Sequence, residues 1–289
     1  MKNKKLNSID TKKIDQTIQN VKDTFPFQGY LEGSTECYKS IINSVANTLP
    51  LGSKILDLGC GPAEKPAILQ KLGFDCTGYD DMSDEWHNID NNKEKILNFA
   101  KHSGVKYVVS SDKNPEFEKE SFDMLMSNDM LEHLHDSPRV ILNDFLEYVK
   151  PGGFLFITVP NAVNIRKRLA VLRGKTNLPD YYSYFWSPGN WRGHVREYVE
   201  NDLILLCKYL GLELVSLRGC DHMVSIRLKN ILKNIYLFIT NFDHSLKDSW
   251  TLIAKKPSNW KNNKELNFNE YLNYLSSNSI SGYDPKLNN

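Results

Sequence analysis

"ILDLGCGPAEKP", residues 55–66, is the stretch that decides how this chain folds. The short apolar run Lys54–Leu58 ends in a turn with two glycines, and a helix-forming run, Ala63–Leu72, follows. An apolar run of that length, bounded by glycine, predicts a buried strand. Gly59 and Gly61 allow a sharp turn and a close approach of backbone to a ligand. The helix behind them presents free N–H groups. A dinucleotide fingerprint asks for a further glycine where Glu64 stands, so a pyrophosphate is disfavoured. An acid at the helix entrance suits a cationic or zwitterionic ligand.

Outward from this turn, strands and helices alternate. Strands are expected at Cys76–Tyr79, Val105–Val109, Phe122–Met126, Phe154–Val159, Glu213–Leu217 and Trp250–Ala254. Helices are expected over 36–48, Asn92–His102, Pro138–Val149 and Glu200–Leu210, with Gly152-Gly153 as a break. The alternation predicts an α/β fold, a parallel sheet with helices on both faces. Residues 1–33 read as a helical surface extension and linker, and 34–256 as the main domain. Within it, 161–198 is a cap insertion and 223–247 a helical insertion. Residues 257–289, rich in Asn, Ser and Lys, read as a peripheral tail. In 223–242 the apolar Leu228, Ile231, Leu232, Ile235, Ile239 and Phe242 fall at helical spacing. Such a face either lies on a membrane or packs on its own domain or a second copy in a homodimer.

Composition narrows the class. A hydrophobic content of 40% with 25% charged residues fits a soluble globular protein. A net charge of +1 gives no overall field toward nucleic acid or membrane. The five cysteines are odd in number, scattered and without C-x-x-C, which points to free thiols in a reducing, cytoplasmic setting. The Lys- and Asn-rich start lacks the apolar centre of a secretory signal, and no apolar run is long enough to span a bilayer.

LDLGCGP, the strand-ending Asp80, Asp112 ahead of ESFD (120–123), LEHL (131–134) and YVKPGGFLFITVPN (148–161) together resemble the class I S-adenosylmethionine-dependent methyltransferases. The resemblance covers about 36–160 and resumes over 194–217. It implies a Rossmann-like, seven-stranded, mostly parallel sheet with an antiparallel last strand, and S-adenosylmethionine as cofactor. It implies that Gly59, Cys60 and Gly61 hold the methionine part. Asp57 would orient the amino group, Asp80 the ribose and Asp112 the adenine, with Asn128 a further cofactor contact. The intact glycine turn and Asp80 weigh against a non-catalytic cofactor-binding subunit, and Glu64 against a nicotinamide oxidoreductase.

The fourth predicted strand ends in "SNDMLEHLHD", residues 127–136. If 129–134 form a helical turn, Asp129, Glu132 and His133 share one solvent-facing side at i, i+3 and i+4. They then make a half-site for Mg²⁺ or Mn²⁺, which His194 in RGHVREY (192–198) would complete. The pattern is similar to the E-x-x-E-H plus His set of metal-dependent O-methyltransferases, of the ubiquinone-pathway catechol and small-RNA ribose types. Asp129 stands where that set has Glu. Two other readings stay open: His133 and His194 as metal-free catalytic base or substrate contacts, or as structural walls. His135 reads as a helix-entry residue, and His87, His102, His222 and His244 as surface or core.

The cap carries Arg166, Lys167, Arg168, Arg173 and Lys175, then Tyr181, Tyr182, Tyr184, Phe185, Trp186 and Trp191. A basic run followed by an aromatic run suits an anionic, ring-bearing acceptor. Its bland alternatives are a solvated helix face and packing of the cap. V-P-N, the basic helix, the aromatic loop and H-V-R-E-Y resemble methyltransferases of surface polysaccharide or glycolipid assembly. The expected activity is O-methylation of a small-molecule or carbohydrate (glycan or nucleotide-sugar) hydroxyl. An RNA-terminal ribose or an amine is the alternative acceptor. The near-neutral charge and the lack of a recognisable RNA-binding module disfavour nucleic acid.

Overall fold

A computed structural model of the chain describes residues 9–110, 115, 117–221, 230–265 and 268–277. The expected adenine contact Asp112, His222 and the 223–229 part of the second insertion lie outside the described residues.

The elements in chain order are α1 (Thr11–Thr24), α2 (Thr35–Thr48), β1 (Lys54–Leu58), α3 (Glu64–Leu72), β2 (Asp75–Asp80), α4 (Asn92–His102) and β3 (Lys106–Val109). Then follow β4 (Phe122–Asn128), α5 (Pro138–Leu146), β5 (Val149–Pro160), α6 (Ile165–Leu172), α7 (Tyr181–Phe185) and α8 (Glu200–Tyr209). The chain continues with β6 (Glu213–Cys220), α9 (Asn230–Thr240), β7 (Ser249–Lys255) and α10 (Phe268–Ser277). The seven strands form one sheet in the order β3-β2-β1-β4-β5-β7-β6. β1 to β5 pair in parallel, and β7 runs antiparallel to both β5 and β6.

Side chains alternate between the two faces of the sheet. Ile55, Met124, Met126 and Phe156 meet α2, α3 and α4 on one face, while Leu56, Leu125, Leu155 and Ile157 meet α5 and α8 on the other. α1 belongs to the first of these cores. Its Ile14, Ile18 and Val21 are buried at 3%, 2% and 0% exposure in the cluster that holds Ile68 and Leu72. The expected surface extension is therefore a core helix, because its apolar stripe has α2 and α3 to cover it.

The expected helix through Val149 stops at Leu146, and β5 starts at Val149 and runs on through Gly152-Gly153. Gly152 takes a φ of 79° and the β4–β5 register shifts beside it, so the glycines make a bulge within the strand. A side chain at Gly153 would press on the Asp123 carbonyl. No helix among the described residues is long and apolar enough to cross a membrane. β1 and β4 are adjacent at the centre, where the strand order reverses; their carboxyl ends open onto the ligand crevice of an open α/β sheet.

Candidate active site

A cavity of about 810 Å³ opens at those carboxyl ends. Gly59, Cys60, Gly61, Asp80, Asn128 and His133 all line it. Gly59 and Gly61 have φ of 72° and 52°, the left-handed region that glycine enters without strain. A Cβ on Gly59 would overlap Met130, so the turn after β1 and the loop after β4 touch. Cys60 packs under the turn, where a Cβ on Gly78 would lie 2.7 Å from its sulfur.

Asp80 closes the turn. One carboxylate oxygen accepts from the Gly61 N–H at 2.8 Å, and the other from the Met82 N–H at 2.8 Å. Tyr107 donates to the Gly61 carbonyl at 2.7 Å and fixes the loop from the other side. Asp57 is 1% exposed and stands behind Asn128, whose amide donates to it at 3.4 Å. Burial pushes the Asp57 carboxyl up to about 7. Its second oxygen and one Glu64 oxygen are buried without a hydrogen-bond partner. Carboxylates left in that condition favour a positively charged ligand. Glu64, Lys65, Tyr30 and Trp86 complete the wall. The first three belong to or abut the α3 entrance, and burial followed by the Glu64 charge holds the Tyr30 hydroxyl at about 12.

His87, expected on the surface or in the core, is a cavity residue. It is 3% exposed, lines the cavity, and neither ring nitrogen has a partner among the described residues. Only the fold brings it there, by returning the loop after β2 over the crevice.

At the far side of the cavity, Glu132, His133 and His194 each offer one ligand atom, all within 4.8 Å of one another. The two Nε2 atoms lie 4.0 Å from the same Glu132 oxygen. Each Nδ1–H donates elsewhere: His133 to the Arg192 carbonyl at 2.8 Å, and His194 to Glu197 at 2.8 Å. With Nδ1 engaged, Nε2 is the ring atom that each histidine sets 4.0 Å from Glu132. Such support of the outer nitrogen orients an imidazole for ligation. Burial, then His133 and Lys167, lowers the His194 pKa, which keeps the ring neutral.

His194 reaches this place through backbone bonds that sequence spacing does not show. The Val195 and Arg196 N–H groups donate to the Glu132 carbonyl at 2.7 and 3.2 Å. His135 donates to the Trp191 carbonyl at 2.7 Å. Arg196 itself pairs with Asp202.

Two expectations change here. Asp129 has a φ of 53°, so the helical turn covers only Leu131–His133 and the i, i+3, i+4 face does not form. Asp129 instead accepts from Thr158 at 3.2 Å and faces Lys65 at 3.5 Å, apart from the three-residue group. Glu132 is 1% exposed rather than on a wet face. Burial, then the Asp129 charge, pushes its carboxyl up to about 8.

The cap's first three cations are engaged within the protein. Arg166 pairs with Asp248 at 2.6 Å, Lys167 with Glu197, and Arg168 with Ser245 at 2.8 Å. Its aromatics stay open, with Tyr181, Tyr182 and Trp186 at 66–71% exposure, so they do not pack a closed cap.

The family described as a methyltransferase domain matches residues 28–217. The ubiquinone biosynthesis O-methyltransferase of Aliivibrio fischeri is 31% identical over 133 residues, 44% of this chain and 52% of that protein. The human mitochondrial ubiquinone biosynthesis O-methyltransferase is 28% identical over 140 residues, 46% of this chain and 37% of that one. The chain thus spans about half the length, or less, of these curated relatives. Among solved structures, an S-adenosylmethionine-dependent methyltransferase from Methanosarcina mazei aligns with a TM-score of 0.50 at 17% identity, over 73% of this chain and 95% of that one. A chain of the Haloferax volcanii complex of the Trm112 methyltransferase activator with a methyltransferase aligns at 0.52 and 11% identity, over 86% and 100%. The family match takes in the glycine turn and Asp80, and the chain belongs to the methyltransferase-domain family, with the class I fold of the S-adenosylmethionine-dependent enzymes.

Proposed function

We propose that this chain transfers a methyl group from S-adenosylmethionine to a hydroxyl oxygen of a small-molecule acceptor, with a divalent cation held by Glu132, His133 and His194. The observation that carries this is the convergence of those three ligand atoms beside a cavity whose wall includes His133.

The cavity fits the cofactor. Asp80 retains acceptor capacity toward a ribose, and Glu64 in the cavity wall suits an ammonium or sulfonium charge, while Asp57 lies behind Asn128 and not in the lining. When bound, the cofactor supplies a methyl already activated by positive sulfur. In the transfer the C–S bond breaks as the C–O bond forms, the bonding pair stays with sulfur, and the hydroxyl proton must leave. The protein aligns the acceptor and removes that proton.

The donor set also fits a cation. One Glu132 oxygen is a buried orphan, and both imidazoles present a free Nε2. Two imidazoles with one carboxylate favour Mn²⁺ over Mg²⁺. Such an ion would lower the pKa of an acceptor oxygen. Without a cation, Glu132 at about 8 or neutral His194 would itself be a matched general base. The carbohydrate acceptor rests on the resemblance of the 160–198 region alone; the relatives' names favour O-methylation, and a catechol-like pair of oxygens rests on the resemblance to the E-x-x-E-H plus His set.

The test is release of demethylated cofactor with a catechol, a monophenol, a nucleotide sugar and an RNA 3′ end, each with and without chelator. Transfer to the catechol that chelator stops and Mn²⁺ restores is expected. Transfer that survives the chelator selects the metal-free base, and transfer to the RNA end alone overturns the small-molecule acceptor.

A further inference from the structure

α9 is turned inside out relative to a helix that packs on its own domain. Among its described side chains, the two buried ones carry hydroxyls that bind carboxylates. Tyr236 is 9% exposed and donates to Asp221 at 3.2 Å and to Asp248 at 3.1 Å. Thr240, one turn on, is fully buried and donates to Asp221 at 3.5 Å. Its exposed positions include the apolar Ile235 and Phe238, 51% and 66% exposed, and Phe242 just past its end is 76% exposed. A helix that only needed to cover its own domain would place these residues the other way round.

α6 adjoins it through a single atom. The Asp248 oxygen that accepts from Tyr236 also accepts from Arg166 of α6 at 2.6 Å. α6 likewise leaves apolar side chains in solvent, Leu169 at 42% and Leu172 at 82%. Along the sequence, both segments carry charge of one sign. Between Asn161 and Asp180 the sequence has five cations and no carboxylate, and between Asp221 and Asp243 it has three cations and no carboxylate. Arg173 and Lys175, just past α6, are exposed.

We propose that α6 and α9 together form a docking surface for an anionic lipid bilayer, with Phe238, Phe242 and Leu172 entering the interface and Arg173 and Lys175 meeting lipid phosphates. Apolar anchors flanked by cations on short amphipathic helices match such a surface. A symmetric contact with a second copy would set each one-signed stretch against itself or its equal, and interface cores are depleted of charge. The surface connects to the proposed active site. Lys167 of α6 pairs with Glu197, and Glu197 holds the His194 ring. Docking of α6 would thus bear on the residue that positions His194.

The test is cosedimentation of the full chain with vesicles of phosphatidylcholine, with or without phosphatidylglycerol. Binding only to the phosphatidylglycerol vesicles, weakening with salt, is expected. Arg173→Ala with Lys175→Ala should lower that partition by about thirtyfold. Phe238→Ser with Phe242→Ser should lower it by more than about tenfold. Both variants should keep the melting-temperature rise caused by S-adenosylhomocysteine, which shows that they fold. No binding by the wild type, or equal binding to both vesicles, overturns the proposal. So does a solution dimer that Phe238→Ser with Phe242→Ser dissociates, since it would assign the face to a second copy.

Discussion

The Nε2 of His194 stands 4.0 Å from the Glu132 carboxylate, while the backbone next to His194 binds the Glu132 carbonyl. The same residue is therefore gripped twice, once by main chain and once by a side chain from the far end of the cap. A cation between them would make this pair rigid. Addition of Mn²⁺ should raise the melting temperature of the wild type, and Glu132→Gln or His194→Ala should abolish the rise. Calorimetric titration of Mn²⁺ checks the same point without any activity readout, and an unchanged heat in Glu132→Gln would exclude these residues as ligands.

Glu132 also makes stability depend on pH. Its folded carboxyl titrates at about 8, above its ordinary value of 4.5, because burial and Asp129 disfavour the charge. A raised carboxyl contributes stability that is full below about 4.5 and is lost as pH rises through about 8. The metal-free protein should lose stability over that window. At the upper end Glu132→Gln should be more stable than wild type by at least about 1 kcal/mol, the worth of one pKa unit. Parallel thermal melts of the two proteins across the window would show curves that diverge with rising pH; curves that stay parallel would count against the assignment.

Asp80 holds the turn and the cofactor site with one carboxylate. Asp80→Ala removes the acceptor of the Gly61 and Met82 N–H groups along with any ribose contact. Affinity for S-adenosylhomocysteine should fall by about tenfold to hundredfold, the loss of one charge-assisted hydrogen bond. Equilibrium dialysis measures it.

His87 separates ligand binding from stability. The residue lines the cavity, and its buried nitrogens, unpaired among the described residues, cost the ligand-free protein about 1–3 kcal/mol. His87→Leu should raise the melting temperature without ligand and weaken S-adenosylhomocysteine binding. A variant that loses stability and keeps its affinity would return His87 to the core.

Gly59 tests the packing of the turn. Alanine there would carry a φ of 72° and overlap Met130. Gly59→Ala should cost about 3 kcal/mol, from the left-handed backbone and the overlap together. Adding Met130→Ala should relieve the larger part of the overlap, that with Cγ, and leave the Cβ contact at 2.9 Å and the backbone cost. Denaturant unfolding of the two variants gives the split.

The sheet was legible because its signals are local. The run Lys54–Leu58, the glycine turn and the acid closing Cys76–Asp80 each state their conformation within a few residues. The strand–helix alternation then leaves little choice of architecture. Where a local signal conflicted with packing, packing won. Gly152-Gly153 reads as a stop, yet β5 only bulges there and continues, because the Gly152 N–H donates to the Lys256 carbonyl and the Lys256 N–H to the Gly153 carbonyl, both at 2.8 Å. The face of 129–134 failed for a single dihedral at Asp129, which periodicity cannot register.

The sequence by itself determined the fold class, the glycine turn after β1 and which residue types stand near it, since strand and turn propensities act over neighbouring residues. The tertiary structure alone decided that His194 meets Glu132, that Asp129 does not join them, that His87 enters the cavity and that α9 presents its apolar side outward. Each of these depends on contacts between segments far apart in the chain, such as the Val195–Glu132 backbone bond and the Asp248 carboxylate shared by Arg166 and Tyr236. No periodic pattern along one segment encodes where another segment will lie.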